Sequence, residues 1–191
     1  MKEKDEYDFA FTTASLRLRD MHIVAKANIT GKEVDIVNDL GGGKSSTGRK
    51  LYGELRKRIS SLTPKQQLLL VHGSLATQRQ VAFLAVCKTY EFIKDFALEV
   101  VQDKFVRFDE QISPGDYLSF YRRKFQLHER METLTSNTQN KIRQLVFKML
   151  EEAGLINNTQ ERIIQPQFIE DDLVEAIKSD NPHWLKVLLF V

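Results

Sequence analysis

A short segment concentrates positive charge at the start of a predicted helix. Residues 44–58 read KSSTGRKLYGELRKR, with six basic residues and one acid. The serines and threonine follow three glycines, as at a helix N-terminus, where backbone N–H groups and hydroxyls favour anions. This combination predicts contact with phosphate. The candidate phosphate-contacting residues of the segment are Lys44, Ser46, Arg49, Lys50, Arg56 and Lys57.

One basic residue of this segment has an ordinary structural interpretation. Arg58 follows Glu54 by four positions, and residues at that spacing form ion pairs on the surface of a helix. We therefore expect Arg58 to be a neutralised surface residue that takes no part in binding.

A second group of basic residues lies farther along the chain and is interspersed with Glu129 and Glu132. The sequence leaves two interpretations open, which are a second phosphate-contacting surface and ordinary solvated charge. Its members are Arg122, Arg123, Lys124, Lys141, Arg143 and Lys148.

The positive charge is local. The chain of 191 residues has 28 Lys and Arg against 26 Asp and Glu, a net charge of +2. Residues 151–181 contain eight acids and two bases, so this end is predicted to face away from phosphate or to bind a basic partner. A basic patch on a nearly neutral protein favours nucleic acid as the partner, because counterion release depends on local charge.

The sequence GGGKSST resembles a nucleotide-binding loop but lacks its other parts. The phosphate loop needs a glycine five positions before Gly43, where this chain has Asn38. It also needs a preceding buried strand, where this chain has the polar GKEVDIVNDL. We therefore expect no nucleotide partner.

No residue pattern indicates catalysis or a metal. The histidines, His22, His72, His128 and His183, are far apart and lack the spacing of a metal-binding motif. Catalytic Cys–His pairs and nucleophile motifs are also missing from the sequence. The sequence predicts a protein that is not an enzyme and holds neither metal nor cofactor.

Hydrophobicity and termini bear on the location of the protein. The longest uninterrupted apolar run, Val81 to Cys87, has seven residues, whereas a membrane helix needs about 20. The first residues mix acids and bases and lack the apolar core of a secretory leader. A cytoplasmic protein without a membrane span is expected, and Cys87 is expected to be a buried, inert thiol.

Periodicity predicts an all-α protein. Helices are expected from about residue 14 to 27, 30 to 40, 47 to 60, 63 to 72 and 77 onward, with the stretch 81–108 packed on all sides. Further helices are expected at 113–127, 137–153 and 170–178. The helix that ends at Gly154 has an apolar stripe of Ile142, Leu145, Val146, Met149 and Leu150.

Two DNA-binding arrangements are expected within this helical chain. Residues 1–72 form an N-terminal helical lobe with a helix-turn-helix-like unit that carries the basic helix. Residues 73–191 form a C-terminal helical lobe. In that lobe a small β-hairpin around Asn157–Gln160 would act as the wing of a winged helix.

Three runs, STGRKLYGELRKRISSL, FLAVCKTYEFIKDFALEVVQDKF and NKIRQLVFKMLEEAGLI, resemble the BrxA family of bacteriophage exclusion (BREX) systems in their order and spacing. The match spans almost the whole chain. The resemblance implies a small, mostly helical, non-enzymatic BREX component with a NusB-like core and an ability to bind double-stranded DNA. It places the family's basic helix on Arg49, Lys50, Arg56 and Lys57.

Three functions remain open. In the first, the protein is part of a BREX assembly and binds the sugar-phosphate backbone of double-stranded DNA. The second is RNA binding of the antitermination kind, which a NusB-like core would favour. The third is a scaffold that docks other BREX proteins through its acidic C-terminal region and an exposed apolar tail, Trp184 to Val191.

Overall fold

The structure, a computed structural model, describes residues 7–190, and helices make up most of it. The α-helices are α1 (Leu18–Thr30), α2 (Ser45–Ser60), α3 (Pro64–His72), α4 (Leu75–Thr89), α5 (Glu91–Phe96), α6 (Asp103–Val106), α7 (Pro114–Phe125), α8 (Ser136–Ala153) and α9 (Asp171–Lys178). Shorter 3-10 or π-helical turns are Ala10–Thr13, Ile36–Leu40, Ala97–Gln102, Glu129–Thr133 and Pro182–Leu188. The predicted all-α class is confirmed.

Helix α4 lies at the centre of the fold. Every residue from Val81 to Cys87 is at most 1% exposed, because α1, α2, α3, α5, α8 and the turn Pro182–Leu188 all pack around the helix. Tyr90 has an extended backbone (φ −124°) and separates α4 from α5. The prediction of packing on all sides is therefore confirmed for α4, whereas the end of the stretch 81–108 is exposed, with Phe108 at 91%. Burial raises the pKa of the Cys87 thiol, which fits an inert core cysteine.

Local signals correctly predicted several helix ends. Thr63 and Gln66 form a capping box at the start of α3, and Ser113 and Asp116 form one at the start of α7. Gly154 ends α8 in the left-handed conformation (φ 79°). Each of these patterns acts within a few residues of one helix end.

The predicted helix from Thr30 to Leu40 is wrong in its start. Gly31 adopts the left-handed conformation (φ 66°) and ends α1, so Thr30 is the last residue of that helix. Only Ile36–Leu40 forms a π-helical turn, and the Asp35 carboxylate caps it by accepting hydrogen bonds from two backbone N–H groups. The helix-turn-helix interpretation of this region stays a prediction, as does the NusB-like core.

One residue of the predicted α8 stripe lies at its edge. Ile142, Val146, Met149 and Leu150 are buried, but Leu145 is only partly buried. Leu145 falls four residues after Lys141 and three before Lys148, so it borders the charged face of the helix.

The predicted C-terminal β-hairpin is wrong. Between residues 7 and 190 the chain has no strand and only two isolated antiparallel bridges, Ile156 with Ile164 and Gln111 with Ile163. The Asn158 carboxamide oxygen accepts hydrogen bonds from the N–H groups of Gln160 and Glu161, which makes a compact turn. The returning chain also bonds to residues 110–112, but neither pairing extends beyond one isolated bridge. The described residues therefore contain no β-hairpin that could act as the wing of a winged helix.

The expectation of an exposed apolar tail is wrong for most of the tail, although Phe190 is 39% exposed. Leu185, Val187 and Leu188 are buried, and the turn that contains them packs against α4 and α9. Trp184 is partly buried against the same core. Val191 lies outside the described residues.

Hydrophobic side chains on both sides of the predicted boundary at residue 72 belong to one cluster. The division into lobes 1–72 and 73–191 stays a prediction. Among residues 7–190, no helix combines the length and the apolar character that crossing a bilayer requires. The same residues contain no cluster of His, Cys, Asp and Glu side chains that could hold a metal ion.

Two glycines of α2 provide a matched stability test. A Cβ at Gly48 would lie 2.0 Å from the Ile36 carbonyl oxygen, whereas a Cβ at Gly53 would meet nothing within 4 Å. Gly53→Ala should stabilise the protein by about 1 kcal/mol through helix propensity, and Gly48→Ala should destabilise it by about 1–3 kcal/mol through overpacking. Urea unfolding of both variants measures the difference. Effects of equal sign would show that the turn Ile36–Leu40 does not pack on α2 as described.

Candidate nucleic-acid interface

An open groove of about 620 Å³ lies between α2, α8 and the segment that leads into α1. Four cations and four hydroxyl side chains line it together with four apolar residues, and none of its described lining residues is acidic. The cations are Arg17, Lys50, Lys141 and Lys148, and the hydroxyls are Thr12, Thr13, Ser15 and Thr47. Cations interleaved with hydroxyl donors are the groups that contact phosphate oxygens.

Helix α2 forms one wall of the groove because one face of the helix is apolar and buried and the opposite face is basic and exposed. Leu51, Leu55 and Ile59 are buried against the core, and this orientation leaves Lys50 exposed at the groove. At about 100° per residue, Lys50 lies on the same exposed face as Arg49, Arg56 and Lys57. The groove thus continues onto the outer surface of α2.

Arg58 holds the segment that forms the floor of the groove. Its side chain is 0% exposed and donates hydrogen bonds to the Ser15 carbonyl (2.6 Å) and the Ala14 carbonyl (2.9 Å). Its Nε donates to Glu54 Oε1 at 3.0 Å, and Glu54 also accepts from the Tyr90 hydroxyl. The predicted pair of Arg58 with Glu54 is therefore present, but the expectation that Arg58 lies on the surface is wrong.

A sequence signal for this burial exists. Arg58 follows Leu51 by seven residues and Leu55 by three, so it lies on the apolar stripe of α2. A charged residue on such a stripe is buried only when hydrogen-bond partners satisfy it. Those partners, two backbone carbonyls more than 40 residues earlier, carry no local pattern.

Helix α8 holds the same segment from the other side. Glu152 Oε2 accepts a hydrogen bond from the Leu16 N–H at 2.7 Å, and its Oε1 accepts from the Ser15 hydroxyl at 3.1 Å. Residues 14–16 are therefore bonded to α2 through Arg58 and to α8 through Glu152. These bonds join the segment to both of the helices on which Lys50 and Lys141 lie.

The four cations of the groove differ in how far other groups already neutralise them. Lys148 forms an ion pair with Glu151 at 2.6 Å, and that hydrogen bond raises the pKa of Lys148. Arg17 pairs with Asp20. Within residues 7–190, neither Lys50 nor Lys141 forms an ion pair. The charges of these two lysines are therefore the least neutralised of the four.

The remaining predicted residues of α2 surround the groove without lining it. Arg49 donates to the Ser45 hydroxyl at 3.4 Å, and Lys44 and Ser46 are exposed at the start of the helix. Arg56 lines a separate cavity of about 260 Å³ against α1. Lys57 pairs with Asp8.

This pairing affects the charge that Lys57 can offer. Burial is the largest single influence on Asp8 and opposes its ionisation, but the hydrogen bonds from Lys57 and from the Ala10 N–H, together with the charge of Lys57, outweigh it and lower the pKa of that carboxyl. The pair therefore stays charged, and Lys57 is partly neutralised before any ligand arrives.

The basic residues of α7 lie elsewhere. Arg123 pairs with Glu99 at 3.3 Å. Arg122 is exposed, but it lines neither the groove nor a neighbouring cavity of about 580 Å³ that shares residues of α8 with the groove. Lys124 is buried and bonded to Asp95 and Glu99. On α8, Arg143 lines the neighbouring cavity together with Lys141 and Lys148. The structure thus brings Lys50, Lys141 and Lys148 together, a convergence that spacing along the sequence does not predict.

Arg58 provides the stability test of this site. Arg58→Ala leaves the Glu54 carboxylate and two carbonyls without their donor, so it should destabilise the fold by about 3–5 kcal/mol. Arg56→Ala, on the exposed face of the same helix, should change the free energy of unfolding by less than about 0.5 kcal/mol. Thermal and urea unfolding measure both. A small loss in the Arg58 variant would mean that the bonds to residues 14 and 15 do not hold the groove.

Similarity to known proteins agrees with this arrangement of helices. A solved structure, an uncharacterized protein from Magnetospirillum magneticum, superposes with a TM-score of 0.78 at 18% identity and covers 96% of this chain and 98% of its own. At that identity the likeness shows the fold alone.

Curated relatives are named BREX protein BrxA. The protein from Escherichia coli O9:H4 (strain HS) is 24% identical over 132 residues, which are 69% of this chain and 62% of the relative. The protein from Bacillus cereus (strain H3081.97) is 27% identical over 109 residues, 56% and 54% of the two chains. The matches to these two therefore span between half and two thirds of their lengths. The protein from Paramagnetospirillum magneticum (strain ATCC 700264 / AMB-1) is 22% identical over 181 residues, 90% and 89% of the two chains.

The BrxA family model matches residues 5–181, which is most of the chain. The resemblance noted in the sequence is therefore confirmed, and the protein belongs to the BrxA family of BREX proteins.

Proposed function

We propose that this protein, as a component of a BREX phage-exclusion system, binds double-stranded DNA. It contacts the sugar-phosphate backbone of the DNA. The observation that supports the proposal is the groove between α2 and α8, with four cations, four hydroxyls and no acid among its described lining residues. Neutralising phosphates and releasing counterions supplies most of the affinity of such a surface, whatever the base sequence. Base-specific recognition is not part of the proposal.

The exposed face of α2 extends the groove in a form suited to a duplex. Arg49 and Arg56 border one side of this face, and Lys50 and Lys57 border the other. Between them lie Ser46, Gly53 and Ser60, one every seven residues. Small residues between two cationic rows let a helix approach a phosphate backbone closely. Gly53 in a helix interior carries a propensity cost of about 1 kcal/mol, and packing does not explain it because the position is open.

A scaffold role is the second candidate, and one observation supports it. Asp171, Asp172 and Glu175 of α9 are exposed and form an acidic surface that a basic partner could bind. The other support for this role was the apolar tail, which is packed into the core. We therefore propose docking of other BREX proteins only as an addition to DNA binding.

The proposal predicts how salt affects binding. Lys50→Ala and Lys141→Ala should each weaken binding to every duplex alike and lower the magnitude of the slope of log K against log salt by about one. Fluorescence anisotropy with two unrelated duplexes, from low to physiological salt, measures the slope. Lys65→Ala is the matched control, because this exposed lysine of α3 already pairs with Glu175 and lies outside the groove.

Competition with other nucleic acids separates the alternatives. Single-stranded DNA and a structured RNA are titrated against the bound duplex, and the RNA-binding alternative predicts that the RNA displaces it at lower concentration. The proposal is wrong if the Lys50→Ala/Lys141→Ala double variant, folded by circular dichroism, binds duplex as tightly as the parent at low salt.

A further inference from the structure

The segment that precedes α1 lies along the flank of α2 that carries Lys50 and Lys57. Its turn Ala10–Thr13 packs against α2, and residues 12–15 line the groove together with Lys50. Asp8 of the same segment forms an ion pair with Lys57. The segment therefore presents hydroxyl groups on the groove side of Lys50 but a carboxylate to Lys57.

Lys50 and Lys57 form one row on α2 but differ in their availability to a ligand. They are seven residues apart, so they lie on nearly the same side of the helix, about 10 Å from each other along its axis. Among the described residues Lys50 has no ion-pair partner. The Lys57 side chain is 47% exposed, and its ammonium is paired with Asp8. A ligand can reach both lysines, but at Lys57 it meets an anion that is already bound.

The fold holds Asp8 in place through the two aromatic residues that flank it. Tyr7 and Phe9 are buried, and each packs edge-on against the Phe92 ring with the ring centroids 5.3 Å apart. The Tyr7 hydroxyl also donates a hydrogen bond to Asp95 Oδ2 at 2.6 Å. The backbone at Asp8 is therefore anchored on both sides, and its carboxylate lies next to α2 before any ligand binds.

The two oxygens of the Asp8 carboxylate have different roles. Oδ1 accepts a hydrogen bond from the Ala10 N–H at 2.8 Å, where the turn Ala10–Thr13 begins. Oδ2 accepts from the Lys57 ammonium. The first bond needs an acceptor oxygen but no charge, so an asparagine would serve equally well. The second is a partly exposed ion pair, and such pairs stabilise a fold little. Stability therefore does not account for the negative charge at this position.

We propose that Asp8 is a built-in competitor that occupies Lys57 in place of a DNA phosphate. The inference rests on the proposed function and adds a regulatory contact to the same surface. Lysine donates the same charge-assisted hydrogen bonds to a carboxylate and to a phosphate, and the two anions repel each other. A duplex must displace Asp8 to use Lys57, so the surface binds every duplex more weakly than its count of basic residues indicates.

Asp8→Asn tests the proposal because it keeps an acceptor oxygen for the Ala10 N–H and removes the charge. In fluorescence anisotropy it should bind both unrelated duplexes about threefold to fivefold more tightly at low salt. It should also raise the magnitude of the slope of log K against log salt by up to about one. The melting temperature should not change. Asp171→Asn is the matched control, because it removes the same charge from an exposed position of α9 outside the groove, and it should change affinity little.

A double-mutant cycle with Lys57→Ala separates competition from a general effect of charge. If Asp8 occupies Lys57, then Lys57→Ala should weaken binding at least about threefold more in the Asp8→Asn background than in the parent. Two charges that act independently on the duplex would give equal losses in both backgrounds. If Asp8→Asn is not folded by circular dichroism, Asp8→Ser repeats the cycle, because its hydroxyl can also accept from the Ala10 N–H.

Tighter binding by Asp8→Asn, together with the larger loss in its background, supports the proposal. If the parent binds duplex with a slope that depends on Lys50, but Asp8→Asn binds no more tightly or the two losses are equal, this inference is overturned and the proposed function stands. If neither the parent nor Asp8→Asn binds duplex at low salt, both are overturned.

Discussion

The basic groove depends on the hydrogen bonds that Arg58 donates to the backbone of residues 14 and 15. A fully buried guanidinium is tolerated only when its donors are satisfied, and here Glu54 and two carbonyls satisfy them. Glu152 holds the adjacent Ser15 and Leu16 from α8. The peptide segment between the two helices is thus bonded on both sides, while α2 and α8 both pack on the central helix α4.

This arrangement separates the charges that hold the fold from the charges that are available to a ligand. Arg58 and Lys124 are buried, and Lys57 and Arg123 are paired with carboxylates. Lys50 and Lys141 are exposed on opposite sides of one groove. A count of basic residues along the chain cannot distinguish these roles, because the distinction comes from tertiary contacts.

The sequence predicted what local patterns determine. Capping boxes at Thr63 and Ser113 and the left-handed Gly154 act within one helical turn, and the apolar run from Val81 to Cys87 correctly predicted the central helix. The sequence did not predict the contacts between distant residues. The bond between Glu152 and Leu16 joins residues 136 positions apart, and the bridge that replaces part of the predicted hairpin joins Ile163 to distant Gln111. The candidate residues Lys50, Lys141 and Lys148 were found individually, but their convergence required the fold.

The claim that α2 and α8 form one DNA-binding surface can be measured directly by photo-crosslinking. A benzophenone amino acid replaces Lys50 in one variant and Lys141 in another, and each is irradiated with the same labelled duplex. A third variant with the probe at Glu175, on the acidic surface of α9, is the control. One shared surface predicts crosslinks from positions 50 and 141, lost together at high salt, and none from position 175. Crosslinks from position 175 but from neither lysine position would contradict it.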